Sequence, residues 1–222
     1  MISTRQWKKL SGSCPVLSIT NNKQMPKIGL YFGSFNPIHI GHIAIAGYMT
    51  EFAGLSQVWF VVSPQNPLKK KETLLADHQR LFMTQLAIGD NNRLKASDVE
   101  FRMPVPSYTI DTLAYLQEKH PKNEFCLVMG EDNLYTLNKW KNAEELIKKY
   151  PIYYYPRPDT VKPSSLVLEN ILSKAKIHRS DAPLMDISGT FIRNGIKHGK
   201  DMSYFLAPPV WKYIKEMHFY EK

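Results

Sequence analysis

Long apolar runs are missing from this 222-residue chain, and none approaches the roughly 20 residues that a membrane-spanning helix requires. Cysteine is nearly absent as well. Cys14 and Cys126 stand far apart, and Cys126 lies in the apolar run 125–129, which predicts a buried free thiol rather than a disulfide and a reducing, cytoplasmic setting. The first 26 positions hold no acidic residue, so Arg5, Lys8, Lys9 and Lys23 contribute +4 of the net +9 there. Gly12, Pro15 and several serines interrupt the stretch 10–19, which makes it a poor signal core. Residues 1 to about 25 therefore read as a disordered basic extension, with Met25 as a second candidate start directly before the first apolar run. Internal repeats and low-complexity segments are lacking. The positive balance suits acidic small substrates and equally suits weak nucleic-acid contact, but no basic stripe with interleaved aromatics and no nucleic-acid reading motif is present.

What the chain does have is alternation. Short, continuously apolar runs at 28–32, 58–62, 125–129 and 152–155, with a weaker one at 94–99, read as parallel strands covered on both faces. Helical patterns fall at 40–53, 76–89, 108–119, 142–150, 164–173, 189–197 and 209–217. The order predicts one α/β domain over residues 26–222, a Rossmann-like doubly wound, mostly parallel sheet with helices on both faces. Ligands of such sheets collect beyond the carboxyl ends of the strands, so the loops that follow strands are the places to search.

The first of those loops, Gly33-Ser34-Phe35-Asn36-Pro37-Ile38-His39-Ile40-Gly41-His42, carries the strongest signal. It turns an apolar strand into a helix whose Ile45, Met49 and Phe52 repeat at helical spacing. A helix start leaves backbone N–H groups unpaired and aimed into the turn, which is a setting for phosphate. Gly33 is expected to ease the turn, and Gly41 to let backbone approach a ligand. His39 and His42, three apart, share a face and can grip one anion together. A second helix start, Ile187-Ser188-Gly189-Thr190-Phe191-Ile192-Arg193, combines an expected serine N-cap at Ser188, the Thr190 hydroxyl and a guanidinium able to fork two phosphate oxygens. An ordinary capped surface helix would look the same in isolation.

Together the two segments resemble the H-x-G-H and I-S-x-T-x-I-R signatures of the nucleotidylyltransferase superfamily. Phe32 stands where members often have the first of two glycines, and Gly189 stands where they commonly have serine. Further matches are similar to the bacterial nicotinate-nucleotide adenylyltransferase family over about residues 27–220. These are the proline-rich loop Pro64-Gln65-Asn66-Pro67-Leu68-Lys69, the element Ser107-Tyr108-Thr109-Ile110-Asp111-Thr112-Leu113, and Gly130-Glu131-Asp132 followed by Trp140. A closing stretch 209–214 and Arg157-Pro158 also match, without a catalytic role.

The resemblance implies transfer of AMP from ATP to nicotinate mononucleotide, with Mg²⁺ accompanying ATP and no metal cage of protein carboxylates. It implies His42, His39 and Arg193 as catalytic residues. Gly33, Ser34, Phe35, Gly41, Lys69, Gly130, Asp132, Ile187, Ser188 and Thr190 would bind the nucleotide, and Tyr108, Thr109 and Trp140 the acceptor. A solvated lysine run for Lys69 to Lys71, a helix cap at 107–109 and simple packing for Trp140 are the plainer alternatives. Homo-oligomers stay open, as do nicotinamide mononucleotide, phosphopantetheine or a sugar-alcohol phosphate as acceptor. The letters His-Ile-Gly-His also occur in class I aminoacyl-tRNA synthetases, but the lysine-rich second motif and the anticodon module of those enzymes are not found.

Overall fold

The computed structural model describes residues 25–64, 74–161 and 163–222. The basic extension, with Cys14, and Lys69 lie outside them. Six parallel strands form one sheet: β1 (Lys27–Gly33), β2 (Gln57–Val62), β3 (Leu94–Ser97), β4 (Glu124–Gly130), β5 (Ile152–Tyr155) and β6 (Ile177–Arg179). Their order is β3-β2-β1-β4-β5-β6. The chain winds outward from β1 in one direction and from β4 in the other, so the crevice between these two strands is the topological switch point.

Helices α1 (Ile40–Phe52), α2 (Asp77–Ile88), α7 (Gly189–Lys197) and α8 (Pro208–Glu216) cover one face. Helices α3 (Thr109–Lys119), α4 (Glu131–Leu134), α5 (Ala143–Lys149) and α6 (Leu166–Ser173) cover the other. The division follows the strand pleat. Tyr31, Val58, Phe60 and Val128 enter the first core, while Leu30, Trp59, Val61 and Leu127 enter the second. A central strand must be apolar at every position to satisfy both.

Edge strands escape that demand. In β6 both His178 and Arg179 are exposed, so the sequence offered no apolar run there; His178 instead stacks on Tyr153 at 4.6 Å. The expected strand 94–99 stops at Ser97, and a 3₁₀ turn begins at Val99. In α1, Ile45 and Met49 are buried as expected but Phe52 is 75% exposed. Phe52 is the last helical residue and lies against Tyr48 at 4.9 Å rather than against the sheet. Cys126 is a buried thiol, its pKa pushed up to about 12 by burial.

Arg80 of α2 was invisible to the sequence reading, yet it organises the edge of the site. Its side chain is fully buried. It donates to the carbonyl oxygens of Leu75 (2.9 Å), Ser34 (2.6 Å), Ser63 (2.8 Å) and Pro64 (3.3 Å), and it pairs with Asp77 at 2.6 Å. One guanidinium thus ties the turn after β1 to the loop after β2. Replacing it with methionine leaves several buried acceptors without donors, so Arg80→Met should cost roughly 3 kcal/mol or more. Urea unfolding measures this directly, and a midpoint equal to that of the parent protein would contradict it.

Candidate active site

The turn after β1 differs in mechanism from the expectation. Phe35, not glycine, takes the left-handed backbone, with φ 44°. Gly33 is needed because a Cβ there would lie 2.8 Å from the Phe35 ring. At Gly41 a Cβ would approach the His39 imidazole at 3.1 Å and the Met185 Cβ at 3.6 Å. Both glycines therefore make room for the chain's own side chains, and Gly41 marks where the segment before α7 passes close to α1.

His39 is the N-cap residue of α1 and is buried. The His42 ring stacks on it with centroids 3.6 Å apart and is edged by Phe35 at 5.1 Å and Tyr31 at 5.9 Å. The His39 backbone N–H donates to His42 Nδ1 at 3.2 Å, which fixes the neutral His42 tautomer with its proton on Nε2. The buried His39 Nδ1 has no hydrogen-bond partner among the described residues. Burial, and secondarily the charge of Arg157, hold the His39 pKa down from 6.5 to about 4.

That shift has a consequence for stability. Between pH 6.5 and about 4 the unfolded chain binds a proton that folded His39 refuses. The contribution is complete above pH 6.5, is lost as pH falls, and levels off below about 4, amounting to about 3 kcal/mol. Urea unfolding from pH 7 to 4 should show a flatter profile for His39→Asn than for the parent. Equal slopes would contradict the assignment.

Ser188 caps α7 as expected, accepting from the Phe191 N–H at 3.1 Å. Arg193 donates from Nη2 to the Thr190 hydroxyl at 3.2 Å and from Nη1 to the Asn36 carbonyl at 2.7 Å, 157 residues away in sequence. The second motif is thereby fastened to the first. Gly189 now has a reason: a Cβ there would lie 2.9 Å from the Asn36 oxygen. Ile187, directly before the cap, packs half-buried on the first core.

A cavity of about 240 Å³ opens at the switch point, lined by Tyr31 to Ser34 of β1 and its turn, Leu127 to Met129 of β4, Ser107, Tyr108, Thr109 and Trp140. Tyr108, Thr109 and Trp140 therefore line the same cavity as Gly33 and Ser34 of the turn after β1. Tyr108 is the N-cap residue of α3 and makes no side-chain cap bond, and Leu113 and Leu116 are core residues. Trp140 lines the cavity and packs on the second core. Gly130 and Asp132 sit at the β4–α4 junction, where Asp132 Oδ1 faces Arg157 Nε at 3.7 Å.

The three charged lining residues, Glu100, Lys139 and Lys141, lie outside the sequence motifs. Lys139 and Lys141 flank Trp140 on the cavity wall, and Lys141 lies 4.4 Å from the Tyr108 ring centroid while pairing with Asp111 at 3.0 Å. Glu100 forms part of the floor, buried, and accepts from the Thr112 hydroxyl at 2.9 Å. Burial pushes its carboxyl up, while hydrogen bonds from Ser63, Thr112 and Ser107 pull it back. An acid between Val99 and Phe101 was the available signal.

A 3-2-1-4-5-6 sheet with two helix starts meeting at its carboxyl edge defines a nucleotide-binding α/β protein. Comparison with known proteins narrows this. A family model described as cytidylyltransferase-like matches residues 30–195. A Flavobacterium johnsoniae protein described as a probable nicotinate-nucleotide adenylyltransferase is 55% identical over 196 residues, covering 88% of this chain and 100% of the relative. One from Flavobacterium psychrophilum with the same description is 53% identical over the same shares. The chain belongs to the cytidylyltransferase-like family, and within it to the nicotinate-nucleotide adenylyltransferases. The fold is shared with a solved Plasmodium falciparum nicotinic acid mononucleotide adenylyltransferase complexed with NaAD, at a TM-score of 0.72 and 22% identity, covering 88% of this chain and 98% of that one.

Proposed function

We propose that this chain transfers AMP from ATP to nicotinate mononucleotide, forming nicotinate adenine dinucleotide and pyrophosphate. The observation that carries the reading is the shared cavity: the space beside Tyr108, Thr109 and Trp140 also touches Gly33 and Ser34 of the turn after β1. A ring in that cavity would bring its 5′-phosphate towards the end of β1. A phosphate oxygen of the mononucleotide attacks the α-phosphorus as the bond from that phosphorus to the α–β bridging oxygen breaks, and the electron pair leaves with pyrophosphate. The attacking phosphate is already a nucleophile near neutral pH, so no covalent enzyme intermediate is required. Catalysis reduces to positioning and to neutralising the charge that moves onto the leaving group.

In this reading His42 donates from Nε2 to the α-phosphate in the transition state, and neutral His39 supports it. Arg193, Ser188, Thr190 and the backbone N–H groups at the start of α7 hold the β- and γ-phosphates, with Ile187 fixing the approach to the cap. Gly33, Ser34, Phe35 and Gly41 shape the turn around the nucleotide, Gly130 and Asp132 meet its ribose, and Lys69 reaches phosphate. Trp140 stacks on the pyridine ring. Mg²⁺ would enter on the phosphates of ATP, with water completing its shell. Among the described residues no group of three or more His, Cys, Asp or Glu side chains is arranged as a metal cage. Lys139 and Lys141 beside Trp140 favour a ring that carries a carboxylate, as nicotinate does, over nicotinamide, whose substituent is an uncharged amide. No described helix is long and apolar enough to cross a membrane. The reading puts the enzyme in the cytoplasm, without nucleic acid as a partner and with self-association open.

Pyrophosphate release from ATP with each acceptor in turn is the test. Nicotinate mononucleotide should be the preferred acceptor by at least about 10-fold in kcat/KM, the worth of one charge-assisted contact. Turnover restricted to nicotinamide mononucleotide would overturn the acceptor assignment.

A further inference from the structure

The last turn of the chain is held in an unfavourable backbone shape. His218 has φ 53° and Tyr220 φ 67°, left-handed values that non-glycine side chains rarely adopt. Phe219 between them is buried in the first core. Glu221 is gripped by Lys215 at 2.9 Å and by His218 at 3.0 Å. These ties leave Tyr220 pointing inward. Its hydroxyl donates to Asn36 Oδ1 at 2.7 Å, across 184 residues of sequence, and burial raises its pKa against the pull of Arg193 and Arg80.

Asn36 is where the phosphate turn is held. It is buried, its Oδ1 also accepts the Leu75 N–H at 3.4 Å, and its backbone carbonyl takes the Arg193 guanidinium. A carboxamide oxygen has two lone pairs, and the tail occupies one of them. We infer that the C-terminal tail is a positioning element of the phosphate site: the Tyr220 hydroxyl orients Asn36, and through Asn36 it sets the carbonyl that aims Arg193. The inference rests on the proposed use of that site for ATP, and Tyr220 itself touches no reacting atom.

The test uses the full chain and reads binding apart from turnover. Calorimetric titration with a non-hydrolysable ATP analogue compares the parent with Tyr220→Phe, which removes one oxygen. Affinity should fall roughly 10-fold, with the KM for nicotinate mononucleotide unchanged and the thermal unfolding midpoint lowered by no more than the few degrees that one buried hydrogen bond is worth. Asn36→Ala should lower affinity similarly, and adding Tyr220→Phe to it should have little further effect. Parental affinity in Tyr220→Phe, additive losses in the double variant, or an equal rise in the KM for nicotinate mononucleotide would each overturn the role. A parent protein that binds the analogue but releases no pyrophosphate with any acceptor would sink the proposed reaction while leaving the tail's role intact.

Discussion

His42→Ala should lower the turnover number by about 100-fold or more while the KM values for ATP and the mononucleotide change little. The reasoning is geometric. His42 is stacked at 3.6 Å on His39 and edged by Phe35 and Tyr31, so its ring plane is set before substrate arrives. Its Nδ1 accepts from the His39 N–H, so the proton of the neutral ring sits on Nε2. A donor fixed in advance costs no reorganisation when charge moves through the α-phosphate, and its benefit is concentrated in the transition state. Steady-state kinetics decide the matter, and an unchanged turnover number would remove His42 from the role.

The second large effect is expected at Arg193. Its guanidinium holds the Asn36 carbonyl and the Thr190 hydroxyl with two of its five N–H donors while standing at the start of α7. A lysine carries the same charge but as a point, and it cannot keep both protein contacts and also fork two phosphate oxygens. Arg193→Lys should therefore raise the KM for ATP by roughly 10- to 100-fold, equivalent to about 1.4 to 2.8 kcal/mol. The link between the two motifs is weakened at the same time. Parental affinity for ATP in this variant would contradict the assignment.

Features that depend on near neighbours in sequence were readable in advance. The central strands announce themselves because burial on two faces demands apolar residues throughout, and the Ser188 cap and the His39–His42 pair are local arrangements. Features made by the fold were not readable. Arg80 lies on an otherwise ordinary amphipathic helix, and only the convergence of four carbonyls shows why a charge is buried there. Glu100 looks like a turn residue until three hydroxyls meet it. Strand β6 is half-solvated, and α4 is too short for any periodicity to register. The glycines are a further case: what a Cβ at Gly33, Gly41 or Gly189 would meet, namely Phe35, His39 or Asn36, is decided by the fold.

The account stands on one polyphosphate tail being held by both motifs at once. A crystal structure with a non-hydrolysable ATP analogue measures this most directly. It should place triphosphate oxygens within hydrogen-bonding distance of the His39 and His42 imidazoles and of the Arg193 guanidinium in a single cleft. A triphosphate that contacts one of these groups and leaves the other to solvent would contradict it.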